Sequence, residues 1–162
     1  MVTRALFIGR FQPFHKGHLH AVTLLLKEYD ELIIMIGSAE SNDTDNPFSP
    51  GMRIDMIRAA IPKKFHSRVL LVPVRDVNNH SLWVSHCISY LPFFSDVYSN
   101  NELVRELFKS KGYAVHNTPE LKRSVYQGVR IRSCITEQKP WQHLVPKGVI
   151  PFILQSLQKR LL

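Results

Sequence analysis

The run Gly9-Arg10-Phe11-Gln12-Pro13-Phe14-His15-Lys16-Gly17-His18 sets an arginine and two histidines, the latter at HxGH spacing, between the apolar Leu6-Phe7-Ile8 and the amphipathic stretch Leu19 to Leu26. This pattern predicts a strand, a tight turn and a helix, with His18 at the helix start. Free backbone N–H groups and the positive end of the helix dipole suit such a turn to phosphate. Arg10, His15 and His18 add the equipment for stabilising charge on a reacting polyphosphate. HxGH alone recurs by chance, and a lone His near a turn is commonly a surface or capping residue. A purely structural turn would need the glycines but not these three side chains together.

The elements that must position them alternate strand and helix. Strands are expected at 3–9, 31–37, 69–74, 96–99 and 113–116. The runs Leu32-Ile33-Ile34-Met35-Ile36 and Val69-Leu70-Leu71-Val72 are continuously apolar, as in strands covered on both faces. Helices are expected at 17–28, 50–60, 81–91 and 101–110, then a short one near 128–136 and an amphipathic one over 146–162. Ser99-Asn100-Asn101 is a cap region and Gly112 a stop. This order predicts an α/β fold, a doubly wound parallel five-stranded sheet of Rossmann-like type with C-terminal helices, in a single domain 1–162. Gly9–His18, Gly37–Phe48, Arg75–Trp83 and Ser99–Asn101 each follow a strand, so four loops should converge on the crevice at the carboxyl ends.

The stretch GRFQPFHKGHL resembles the opening of the nucleotidyltransferase α/β phosphodiesterase superfamily, whose hallmark is HxGH. Within it the chain is similar to the archaeal-type nicotinamide-nucleotide adenylyltransferases. Further matches are Gly37-Ser38-Ala39, Asn46-Pro47-Phe48, Gly51 with Arg53, Val72 to Val77, Leu82-Trp83, Tyr98-Ser99, and Tyr126-Gln127-Gly128 with Arg132. They run in order over nearly all of the chain. The resemblance implies transfer of the adenylyl group of ATP to nicotinamide mononucleotide, giving NAD and pyrophosphate. The acceptor phosphate is already an anion at pH 7, so no general base or covalent intermediate is needed. The demand is in-line positioning and stabilisation of developing charge by positive donors.

On that resemblance His18 serves the α-phosphate, His15 the triphosphate, and Arg10 and Arg132 the β and γ phosphates, to which forked guanidinium groups are suited. Gly9, Phe11, Lys16, Gly17, Ser99, Asn101, Tyr126 and Gly128 would face ATP. Gly37, Ser38, Asp76, Val77, His80 and Trp83 would face the mononucleotide. Trp83 can stack on a flat heterocycle or anchor the loop to the core. Magnesium is the implied cofactor, held mainly by substrate phosphates, and no dedicated metal-ligand set of side chains is visible. The sequence departs from the family in Val129 after Gly128, in Asn100, in His80, and in the acidic Ser41–Asp45 loop, where basic or His residues are often seen. Another HxGH transferase, acting on phosphopantetheine, FMN or a small phosphorylated alcohol, is the alternative. A non-enzymatic nucleotide-sensing or nucleic-acid-binding domain is a further one.

Composition agrees with an enzyme domain. The 162 residues are 44% hydrophobic, which supports a sizeable core. A formal charge of +8 favours anionic partners. The basic residues are scattered rather than gathered in a stripe, which points to small polyphosphates and not to nucleic acid. Lys63-Lys64 and Lys159-Arg160 read as solvated surface. No stretch has the length of a membrane span, and the N-terminus enters a strand directly. Cys87 and Cys134 read as reduced thiols of a cytoplasmic protein. Apolar Leu91-Pro92-Phe93-Phe94, Trp141 and Phe152-Ile153-Leu154 are either covered by the last helix or buried in a homo-oligomer; the resemblance suggests a hexamer.

Overall fold

The computed structural model describes residues 2–160, with the side chains of 159 and 160 outside that description. The expected basic surface at Lys159-Arg160 therefore lies outside the described residues, while Lys63 and Lys64 are exposed. Strands β1 (Arg4–Gly9), β2 (Glu31–Ile36), β3 (Val69–Pro73), β4 (Asp96–Tyr98) and β5 (Ala114–His116) form one sheet in the order β3-β2-β1-β4-β5. Every pairing is parallel, with Arg4 opposite Glu31, Leu32 opposite Val69, Ala5 opposite Asp96, and Asp96 opposite Ala114. The chain winds from β1 out to β3, then returns to the other side of β1 for β4. That reversal opens a crevice at the carboxyl ends of β1 and β4.

Strand side chains alternate between two faces. Ala5, Phe7, Leu32, Ile34 and Ile36 meet α1 (Lys16–Glu28), α2 (Pro50–Ala60), α5 (Gly128–Thr136) and α6 (Ile150–Arg160). Leu6, Ile8, Ile33, Met35 and Val97 meet α3 (His80–Ile88) and α4 (Glu102–Ser110). Each central strand therefore has to be apolar at successive positions, which is the pattern seen in β2. β3 carries the same pattern but is an edge strand, and Leu70, Leu71 and Val72 are only half-buried. Its apolar run does not mark a strand covered throughout.

Helix boundaries follow their caps. Ser49 Oγ accepts the Met52 N–H at 3.3 Å and Pro50 opens α2, where its missing N–H costs nothing. Asn101 Oδ1 accepts the Val104 N–H at 3.1 Å, starting α4. The helix expected over 81–91 stops at Ile88, since Leu91 precedes Pro92 and cannot readily stay helical. The last helix begins at Ile150, not 146, because a 3₁₀ turn over Lys147–Val149 precedes it. Another 3₁₀ segment, Lys63–Arg68, leads into β3 and has no clear sequence signature. Trp141, Phe94 and Ile153 are buried, so the fold itself covers most of the apolar segments near the C-terminus. Phe93 (72% exposed) and Leu154 (45%) remain at the surface.

Candidate active site

The loops after β1 to β4 line one cavity of about 780 Å³. Gly9, Arg10, His15, Gly17 and His18 come from the β1 turn, Gly37 and Ser38 from β2, Asp76, Val77, His80 and Trp83 from β3, and Ser99 and Asn101 from β4. Tyr126 and Gly128 close it from the start of α5. These are fifteen of the eighteen residues expected there. Sequence reasoning missed an apolar wall, Leu103, Val104 and Leu107 on α4, and the segment from Thr118 to Arg123. The amphipathic face of α4 was a signal for the first. Nothing in residues 118–123 marks the second.

HxGH turns out to be a helix cap. The His15 N–H donates to His18 Nδ1 at 3.2 Å, and the His18 N–H donates to His15 Nδ1 at 3.3 Å. This is the reciprocal capping box at N-cap and N3, built from imidazoles in place of Ser and Glu. The rings stack with centroids 3.5 Å apart and 16° between planes. Because Nδ1 accepts in both, a neutral ring carries its proton on Nε2. Burial lowers the His15 pKa to about 4. Burial, and then the adjacent His15, hold His18 well below the usual imidazole range. The two histidines are therefore neutral N–H donors at pH 7, which corrects the expectation of positive donors. Packing favours glycine between them: a Cβ at Gly17 would lie 3.1 Å from the His15 ring and from Tyr126 Cβ, closer than ordinary van der Waals contact.

Three expected residues do not line the cavity. Phe11 has φ +54° and is 2% exposed, its ring set edge-on to Phe7 and His18 in the core. The ring packs against His18 from the core side. Lys16 lies a helical step of about 100° away from the lining residue Gly17, on another face of α1. Arg132 donates Nη1 to the Gln12 carbonyl at 2.8 Å and Nη2 to Asp45 Oδ1 at 3.0 Å. The acidic loop thus holds this guanidinium behind the turn. Gly128 permits that approach, since a Cβ there would meet the Gln12 carbonyl oxygen at 2.9 Å.

Arg53, noted in the sequence only as a family match, is the largest fully buried side chain. Nη1 donates to the carbonyls of Arg10 (3.0 Å) and Gly37 (2.8 Å), and Nη2 to that of Ser38 (3.1 Å). One guanidinium thereby joins the β1 turn to the β2 turn. Burial lowers its pKa to about 10, which leaves it protonated at pH 7. Asn100 makes a similar bridge, because its Oδ1 accepts the Thr118 N–H at 3.0 Å and ties the β4 loop to the chain beyond β5. That explains an Asn where glycine is common.

The cavity is electrostatically uneven. α1 and α5 both point their N-terminal ends at it, and Gln127, the N-cap of α5, makes no side-chain cap, so those N–H groups stay available to an anion. Arg10 lies beside them. On the β3 side, Asp76 Oδ2 accepts from Ser38 Oγ at 2.6 Å and Oδ1 from Trp83 Nε1 at 3.2 Å. Trp83 also sets its ring edge-on to Phe108, with centroids 5.9 Å apart, so it is both cavity wall and core anchor. Among the described residues no three His, Cys, Asp or Glu side chains gather as metal ligands. Among the described residues no helix is long and apolar enough to cross a membrane.

A winding of this kind, with histidines capping α1 at the mouth of the switch-point crevice, is built to bind a nucleotide by its phosphates. Residues 6–144 match the cytidylyltransferase-like family, and the chain belongs to it. Its relatives there are adenylyltransferases. It is 45% identical to the nicotinamide-nucleotide adenylyltransferase of Methanococcus aeolicus over 93% of this chain and 87% of that one. It is 46% identical to that of Thermoplasma volcanium, over 93% and 85%. Among solved structures, the fold superposes with a TM-score of 0.70 at 23% identity on a bifunctional NMN adenylyltransferase/ADP ribose pyrophosphatase from Francisella tularensis, complexed with AMP and a manganese ion. That match covers 90% of this chain and 44% of the longer one.

Proposed function

We propose that this chain transfers the adenylyl group of ATP to nicotinamide mononucleotide, forming NAD and pyrophosphate. The observation that carries this is the two-sided character of the cavity. Arg10, the two imidazole N–H donors and the ends of α1 and α5 suit a triphosphate. The β3 loop, two strands from β1 and so roughly 10 Å away, offers an indole with Asp76 beside it. The base of nicotinamide mononucleotide is a pyridinium cation, which an aromatic face and a carboxylate both favour. Phosphopantetheine and FMN bring no such cation.

A 5′-phosphate oxygen of the acceptor attacks the α-phosphorus, that O–P bond forms, and the bond to the β-phosphate oxygen breaks to release pyrophosphate. The attacking group is already anionic, so the protein positions it and stabilises charge. His18 donates Nε2–H to the α-phosphate, His15 donates to the triphosphate, and Arg10 grips the β and γ phosphates. Arg132 joins them when it exchanges Asp45 for phosphate. Ser99, Asn101 and Tyr126 face the adenosine. A divalent cation, taken here as Mg²⁺, would be held by oxygens of the triphosphate and of water, since among the described residues no carboxylate cage forms, and it would neutralise phosphate charge. Free Cys87 and Cys134 support a cytoplasmic setting for this single domain.

Supplying MgATP with nicotinamide mononucleotide, phosphopantetheine or FMN tests the acceptor. Only the first is expected to give an adenylylated product, and preferential use of another would overturn the assignment. Trp83→Ala should raise KM for the mononucleotide roughly ten- to a hundredfold and leave KM for ATP nearly unchanged, since base stacking is worth about 1–3 kcal/mol. A rise in both constants would place the indole elsewhere than under the acceptor. Exposed Phe93 and Leu154 support a homo-oligomer, with a hexamer the specific proposal. Light scattering at micromolar protein should give a multiple of the chain mass; a monomer mass would reject it.

A further inference from the structure

We propose that Asn100 is a positioning residue for ATP: through the backbone of Thr118 it fastens the wall, residues 118–123, that encloses the nucleoside end of the cavity. The inference rests on the assignment of the β4 loop to the adenosine. Asn100 Oδ1 accepts the Thr118 N–H at 3.0 Å, from 18 residues further along the chain. A backbone N–H can only donate, so this bond fixes which way the amide points. Thr118 is 7% exposed, and a buried N–H that loses this oxygen is left unsatisfied. Asn100 itself stands on a turn held on both sides. The Ser99 N–H donates to the His116 carbonyl at 3.2 Å, Ser99 Oγ accepts the Asn101 N–H at 3.2 Å, and Asn101 caps α4.

The wall has little else to hold it. Thr118, Pro119, Glu120, Leu121 and Arg123 all line the cavity, as does Asn100. Among the described hydrogen bonds of residues 117–123, only the one to Asn100 reaches another element. Arg123 Nη1 donates to Glu120 Oε1 at 2.7 Å, and the Val125 and Tyr126 N–H groups donate to the Lys122 carbonyl, all local to the segment. One hydrogen bond therefore sets the distance between this wall and the β4 loop. The groups that serve the reacting phosphates, Arg10, His15 and His18, belong to the β1 turn. The acceptor loop follows β3, three strands from β4 and so roughly 14 Å away. Losing the Asn100 bond should thus loosen the hold on ATP and spare both the chemistry and the acceptor.

The test is the KM of each substrate in Asn100→Gly and in Thr118→Pro, which removes the same N–H and leaves the asparagine in place. Each should raise KM for ATP by about 3–10-fold, the worth of one hydrogen bond, with kcat and KM for the mononucleotide changed less than ~2-fold. The double variant should be no worse than either single one, because all three lack the same bond. Amide hydrogen exchange over 117–123 should quicken in Asn100→Gly and stay as in the wild type elsewhere, a readout that needs no folded proline variant. A rise in both KM values together, additive single effects, or unchanged exchange overturns the proposal and leaves the adenosine assignment standing. So does a KM change in Asn100→Gly that folded Thr118→Pro does not share, which would make the asparagine a direct contact of the nucleotide. If the wild type does not consume ATP, the adenosine assignment falls and takes the proposal with it.

Discussion

His18→Ala is expected to lower kcat by ~10²–10³-fold while leaving ATP binding near its wild-type strength, the size of loss seen when one pre-organised oxyanion donor is removed. The argument rests on the capping box. His18 Nδ1 is occupied by the His15 N–H, so Nε2 is the protonated nitrogen and donates toward the cavity. Phe11 and Phe14 pack against the ring at centroid distances of 4.8 and 5.4 Å and fix its aim. A neutral donor also predicts that this contribution does not fade as pH rises through 6.5, where an imidazolium would be lost. The variant gives up one cap interaction, worth about 1 kcal/mol, and should remain folded. Unchanged turnover in the folded variant would remove His18 from the chemistry.

Arg53→Met should destabilise the protein by about 3–5 kcal/mol, because a fully buried guanidinium is lost and the three carbonyls it ties together lose their charged donor. For a chain of this length that is roughly 6–20 °C in Tm. Activity should fall as well, since the same guanidinium sets the β1 turn against the β2 turn, where Ser38 holds φ +48°. Arg53→Lys should fall between, its single ammonium reaching fewer of the three carbonyls. Thermal melts measure the first effect and steady-state rates the second. A methionine variant that melts with the wild type would mean the two turns are held by other contacts.

The sheet and the main cavity were legible because their signals are local. Apolar strands β1 and β2, periodic helices and a donor-rich turn each need only a few neighbouring residues to be recognised. What was not legible depends on distant partners. The Arg132 side chain pairs with Asp45, far away in the chain, and no local pattern announces that partner. Phe11 sits in the phosphate turn by sequence, yet its positive φ sends the ring into the core. β3 has the composition of a central strand, and only topology makes it an edge. The HxGH pair is a partial case. Its i, i+3 spacing is that of N-cap and N3, so a reciprocal cap was readable, but the neutrality of the rings follows from burial that only the packed fold supplies.

The central claim, that this cavity joins two nucleotides through a new phosphoanhydride bond, is tested most directly by product analysis. The purified protein is incubated with MgATP and nicotinamide mononucleotide, and NAD and pyrophosphate are quantified together by mass spectrometry and a coupled assay. The account predicts one pyrophosphate for each NAD formed, with no ADP. ATP binding without pyrophosphate release, or phosphate transfer that leaves ADP, would contradict it.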